Sequence, residues 1–194
     1  MKKILGVVGS PRKGGNTHIL ISRILEGANR EQAVTDILFL SDLTIQECDG
    51  CHACWEGKQC SKNDDMNNIY PKLIENDVII FGTPVYWYRP TALMKAFIDR
   101  FVYFNCPENR AKIKGKSAAI AVVFEEKNPE TAAPLVAFFE KCFQYLQMNL
   151  IAKIIVPGVS RKAEILKKQE RLKEAYELGT KLAKSIPDTT TVPL

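Results

Sequence analysis

Five short apolar runs punctuate the chain. They are Ile4-Leu5-Gly6-Val7-Val8, then residues 34–40, 77–82, 116–124 and 151–156. Each is bounded by turn-forming residues and is nearly unbroken by polar ones, the pattern of strands covered on both faces. Between them the apolar period changes to that of a helix. Leu20, Ile21, Ile24, Leu25 and Ala28 share one face of a helix over 17–28, with Ser22, Arg23 and Glu26 opposite. Asp64-Asp65 places carboxylates at the positive end of a second helix reaching residue 75, which Pro71 should weaken or kink. Pro90 suits the first turn of a third, lined by Leu93, Ala96, Phe97, Arg100 and Phe101.

Residues 103–114 are rich in turn formers and read as a loop. A fourth helix over 131–147 carries Leu135, Phe138, Phe139, Phe143 and Leu146 inward. A polar helix over 163–185 has Leu166, Leu172, Tyr176 and Leu182 as its inner stripe. Five strands alternating with five helices predict an α/β fold, one doubly wound parallel sheet with helices on both faces. Residues 1–186 form a single domain with a cysteine-rich insertion at 41–65, and residues 187–194 read as a loose tail.

The bulk numbers narrow the class. A chain of 194 residues suffices for one domain that buries roughly 70% of its unfolded surface. The net charge of +5 is mild and its lysines are spread out, densest on the polar last helix. That describes a solvated face rather than a nucleic-acid footprint. No apolar run has the length of a membrane span. Met1-Lys2-Lys3 mimics the start of a signal peptide, but the apolar stretch after it is too short and runs directly into a glycine-rich turn. The expected address is the cytoplasm, with neither nucleic acid nor membrane as partner.

In a doubly wound sheet, ligands lie beyond the carboxyl ends of the strands, at the switch point. Three loops meet that rim: residues 9–17, 83–90 and 124–130. The first, Gly9-Ser10-Pro11-Arg12-Lys13-Gly14-Gly15-Asn16-Thr17, joins a strand to a helix start. Free N–H groups and the positive helix end there suit a phosphate. Ser10, Asn16 and Thr17 add hydrogen-bond donors and Arg12 adds charge. The plainer alternative is an ordinary capped turn. A P-loop would require Lys-Ser or Lys-Thr after its second glycine, and a dinucleotide fingerprint would require glycine where Pro11 stands.

The second rim loop, Thr83-Pro84-Val85-Tyr86-Trp87-Tyr88, offers a flat apolar wall and backbone donors, fitting a planar ring with polar edges. Phosphate at one loop and an aromatic wall at the next describe a mononucleotide. Pro84, Val85 and Tyr86 are the expected contacts. Trp87 and Tyr88 are equally suited to the ligand and to a partner subunit.

Six cysteines remain, four of them in the pattern Cys48-x2-Cys51-x2-Cys54-x5-Cys60. Thiolates are soft ligands, and three at consecutive three-residue steps resemble a [4Fe-4S] run more than the paired hairpins of zinc sites. A zinc site including His52, a redox disulfide and unmetallated thiols stay open as alternatives. His52 reads as an exposed loop residue and His18 as a surface or cap residue. No nucleophile–base pair of the hydrolase kind is present.

Taken together, the turn 9–17, the cysteine run ending in Asp64-Asp65-Met66, Thr83-Pro84-Val85-Tyr86-Trp87 and Leu93-Met94-Lys95-Ala96-Phe97-Ile98-Asp99-Arg100 occur in an order that resembles the NAD(P)H-dependent FMN reductase-like flavoproteins of flavodoxin fold. The iron–sulfur flavoproteins are the nearest match, and the resemblance covers about residues 2–156. It implies a 2-1-3-4-5 strand order, FMN as cofactor, NAD(P)H or a redox protein as electron donor, and a homodimer or homotetramer. By that resemblance Ser10, Arg12, Asn16 and Thr17 hold the FMN phosphate, and Pro84, Val85, Tyr86 and Trp87 border the flavin. By the same resemblance Cys48, Cys51, Cys54 and Cys60 would ligate a [4Fe-4S] cluster.

One departure is the sequence after the fourth strand. Many relatives are glycine-rich there, where this chain has Val123-Phe124-Glu125-Glu126-Lys127. The expected function is an FMN-dependent oxidoreductase with no protein acid or base named as catalytic, since the flavin carries the chemistry. An electron carrier without nicotinamide activity and a zinc-stabilised nucleotide-binding module are the alternatives.

Overall fold

The computed structural model describes residues 1–184. The tail at 187–194 lies outside the described residues. Five parallel strands, β1 (Lys3–Val8), β2 (Val34–Phe39), β3 (Val78–Pro84), β4 (Ser117–Val123) and β5 (Asn149–Val156), form one sheet in the order β2-β1-β3-β4-β5. The chain leaves β1 for β2 on one side, then crosses to β3 on the other. The crevice therefore opens at the carboxyl ends of β1 and β3.

Strand alternation divides the core in two. Leu5, Val7, Ile79, Phe81, Ile120 and Val122 face α2 (Met66–Glu75), α3 (Ala92–Asp99) and α6 (Ala133–Leu146). Ile4, Val8, Val78, Ile80, Ala121 and Ile154 face α1 (Asn16–Arg30) and α7 (Gln169–Lys184). This explains why the runs look unbroken: both faces of the inner strands are covered. Helices α1 and α7 cross with their backbones in contact. A Cβ on Gly27 would lie 2.0 Å from the Tyr176 carbonyl oxygen, and one on Gly179 would lie 1.8 Å from that of Ile24. The close crossing fixes the segment before α7 against the start of α1.

Several elements differ from the sequence expectation. Residues 103–114 are not loop: α4 (Val102–Asn105) and α5 (Pro107–Ile113) occupy most of the stretch, with Pro107 at the first helical position. Pro90 precedes α3 rather than starting it. Thr91 is the cap, its hydroxyl accepting from the Met94 N–H at 3.2 Å. Helix α2 continues through Pro71. The carboxylate serving its first turn belongs to Asp64, which accepts from the Met66 N–H at 3.1 Å, while Asp65 turns back to the Thr44 N–H at 2.7 Å.

The last helix begins at Gln169 after a 3-10 turn over Glu164–Lys167. That turn moves the inner residue from Leu166, which is exposed, to Ile165, which is buried. Among the described residues no helix is long and apolar enough to cross a membrane.

Candidate functional site

An open cleft lies at the switch point. Four loops line it. Ser10, Arg12, Asn16 and Thr17 come from the turn after β1, and Pro84, Val85 and Tyr86 from the loop after β3. Val123, Phe124 and Glu125 come from the end of β4, and Val159, Ser160 and Lys162 from the segment after β5. Three of these loops were expected. The fourth was missed, because nothing in the polar stretch 157–168 marks it as close to the turn 9–17. The signal lies in the glycine pair, Gly27 and Gly179, that lets α7 press on α1.

The turn after β1 is held from both sides. The Gly9 N–H donates to the Gly82 carbonyl at 2.7 Å, and the Thr91 hydroxyl donates to the Gly9 carbonyl at 2.5 Å. Gly14, at φ 69°, occupies the left-handed region, and its N–H donates to His18 Nδ1 at 3.0 Å. Burial first, then the Lys13 charge, lowers the His18 pKa. The ring is thereby kept as the neutral acceptor that this hydrogen bond requires. His18 is thus a structural part of the turn.

Gly15 then caps α1 with no side-chain acceptor, and the first turn carries no acidic residue. The positive end of a 15-residue helix faces the cleft with no acidic residue in its own first turn. Ser10 and Thr17 are buried beside it. Arg12 and Lys162 line the same cleft, the Lys162 Nζ 3.8 Å from where a Gly14 Cβ would stand. This donor set fits a phosphate group.

Asn16 has a second occupation. Its Nδ2 donates to the Arg161 carbonyl at 3.0 Å and its Oδ1 accepts from the Ile165 N–H at 3.0 Å. Arg12 Nη1 donates to the Ser160 carbonyl at 3.0 Å. Both side chains therefore tie the fourth loop to the first as well as lining the cleft.

In the wall after β3, two of the expected backbone donors are already engaged within the protein. The Val85 N–H donates to the Val123 carbonyl, and the Tyr86 N–H to that of Arg89. Tyr86 to Arg89 is a tight reversal with Trp87 at φ 49° and Tyr88 at φ 62°. Large aromatic residues in the left-handed region cost about 1 kcal/mol each. Tyr86 lines the cleft, whereas Trp87 is 93% exposed and does not.

A second pocket is lined by Cys48, Cys51, Cys54 and Cys60 together, with Tyr70, Arg100 and Tyr103 beside them. The segment around it has little regular structure. Its base is clipped by Thr44 and Gln46 donating to Asp65 and Asp64, at 2.7 and 2.9 Å. Burial, then the neighbouring Cys106, Cys60 and Cys48 thiols, raises the Cys54 pKa. Cys51 Sγ lies 3.0 Å from Ser61 Oγ.

Among the described residues no three His, Cys, Asp or Glu side chains converge as a single ion requires. The four thiols instead line one common pocket. His52 is exposed and φ-positive, at the start of a 3-10 turn over Ala53–Glu56.

Comparison with known proteins gives the same picture. Residues 2–157 match the family described as NADPH-dependent FMN reductase. The chain is 30% identical over 185 residues to an iron-sulfur flavoprotein of Archaeoglobus fulgidus, covering 94% of this chain and 80% of that one. It is 41% identical over 126 residues to the iron-sulfur flavoprotein of Methanosarcina thermophila, covering 65% of each. In fold it is similar to an FMN-dependent NADH-azoreductase of Bacillus anthracis solved in complex with FMN. That match has a TM-score of 0.72 at 13% identity and covers 94% of this chain and all of that one.

Proposed function

Since the chain belongs to the NADPH-dependent FMN reductase family and is an FMN-dependent oxidoreductase, we propose that its rim cleft holds FMN and its cysteine cavity a [4Fe-4S] cluster, the pair passing electrons from NAD(P)H to a one-electron acceptor. The observation that carries the flavin assignment is the uncapped, acid-free start of α1 facing a cleft with an apolar wall. Bound FMN accepts two electrons together and releases them singly, which is the chemistry such a pair needs.

The residues do the binding. Ser10, Thr17 and the first N–H groups of α1 take the phosphate, with Arg12 and Lys162 balancing its charge. Asn16 keeps the fourth loop against that site. Pro84, Val85 and Tyr86 border the ring, and Phe124 and Glu125 close its far side. The open side of the cleft admits the nicotinamide donor. Cys48, Cys51, Cys54 and Cys60 supply the four thiolates. Trp87 and Tyr88, exposed at the lip, are assigned to a second copy of the chain in a homodimer or homotetramer. The setting is the cytoplasm, where thiols stay reduced.

The test is anaerobic. NADPH or NADH added to the flavin-loaded protein should bleach the flavin absorption. Bleaching by dithionite but by neither nucleotide would make the protein a carrier rather than a reductase.

A further inference from the structure

Arg100 is a deeply buried charge that the flavin site does not use. It follows α3, and only 1% of its side chain is exposed. Nη1 donates to Asp64 at 2.5 Å and to the Gln46 carbonyl at 2.9 Å, and Nη2 reaches Cys60 Sγ at 3.2 Å. Its own carbonyl accepts from the Tyr70 hydroxyl at 3.2 Å. Asp64 is equally buried and also accepts from the N–H groups of Gln46 and Met66. A buried ion pair is a poor source of stability compared with apolar packing. This one joins both ends of the cysteine segment and directs its remaining fork at a sulfur.

We infer that Arg100 is the positioning residue of the cysteine cavity: it closes the segment between Gln46 and Asp64 and sets the reduction potential of a cluster held there through its contact with Cys60. The inference rests on the cluster reading given above. An electron added to a thiolate-ligated cluster makes it more negative by one charge. A guanidinium N–H aimed at a ligating sulfur favours that reduced state, and the Asp64 carboxylate beside it opposes the effect. Removing the two partners should therefore shift the potential in opposite directions. A merely structural clasp would not do this, because loosening the segment from either side would disturb the cluster in the same way.

The experiment uses full-length protein loaded with FMN and reconstituted with iron and sulfide under argon. Iron, sulfide and flavin are counted, and the cluster is titrated by EPR. Arg100→Gln should keep its flavin and lower the midpoint by about 59 mV, a tenfold loss in the reduced-to-oxidised ratio for one electron. Asp64→Asn should raise it. Should Arg100→Gln take up no iron, restoration of the cluster by Arg100→Lys supports the role and failure to restore it counts against it. Midpoints unchanged in both loaded variants, or shifted in the same direction, overturn the inference alone. Wild-type protein that holds FMN but takes up no iron overturns the cluster reading and this inference with it.

Discussion

The rim cleft and the cysteine cavity are built by opposite means. The cleft is the product of the whole sheet: four loops at strand ends contribute to it, and its shape is fixed by ladder hydrogen bonds and two packed cores. The cavity is the product of one irregular segment joined at its base by a few side chains, with the buried Arg100–Asp64 pair at the centre. The cleft should tolerate the loss of any one polar contact. The cavity should depend on a single ion pair.

Arg100→Met should break the contrast open with the largest effect. It leaves the Asp64 carboxylate buried without its partner, a loss of about 3–5 kcal/mol. Urea unfolding should show that loss, and limited proteolysis should cut first between residues 46 and 64. A cost like that of an exposed pair, below about 1 kcal/mol, would mean the segment is held elsewhere.

Acid should reach the same joint reversibly, with an effect no larger. Burial alone would raise the Asp64 pKa, but hydrogen bonds from Arg100 and the Gln46 N–H, with the Arg100 charge, hold it below the ordinary carboxylate value. Its contribution is then fully present above the unfolded value of about 3.9 and is lost as pH falls through the depressed folded value. Hydrogen exchange should show residues 44–65 opening below about pH 4 while β1, β3 and β4 stay protected. Simultaneous opening of both regions would contradict the contrast.

Gly179→Ala attacks the other side. Its new Cβ would stand 1.8 Å from the Ile24 carbonyl oxygen, so α7 must move away from α1. Overpacking of this kind costs about 1–3 kcal/mol. The displaced helix carries the Ser160–Lys162 loop with it, so flavin affinity should fall while the iron content of the cavity holds. Equilibrium dialysis of FMN alongside iron analysis separates the two.

The smallest effect has the opposite sign. Replacing Trp87-Tyr88 by Asn-Gly suits two left-handed positions and should raise the stability of the single chain by about 1–2 kcal/mol, while weakening its association with a second copy. Flavin content should not change, because Trp87 does not line the cleft. A loss of flavin would place the tip of that turn in the binding site.

The same contrast decides what could be read from the sequence. The sheet was legible because short, nearly unbroken apolar runs alternate with segments of helical period. The turn 9–17 was legible because a strand and a helix frame it. The cysteine positions were legible from spacing, which brought all four to one cavity. What escaped were contacts between segments far apart in the chain. Lys162 and Ser160 reach the cleft only because Gly27 and Gly179 allow two helices to touch, and a glycine in a helix carries no label for what it meets. Of the Asp64-Asp65 pair, Asp64 alone serves the helix start, because Asp65 accepts from Thr44 across the loop. Arg100 did leave a trace: an arginine on an otherwise apolar stripe with Phe97 and Phe101 is out of place unless something buried needs its charge.

The central claim is that one chain holds a flavin and a cluster in two separate places. It is tested most directly by purifying the protein under argon, reconstituting it, and counting flavin, iron and acid-labile sulfide per chain. One FMN with about four iron and four sulfide per chain is the expected result. Protein that binds stoichiometric zinc, with neither flavin nor iron, would contradict it.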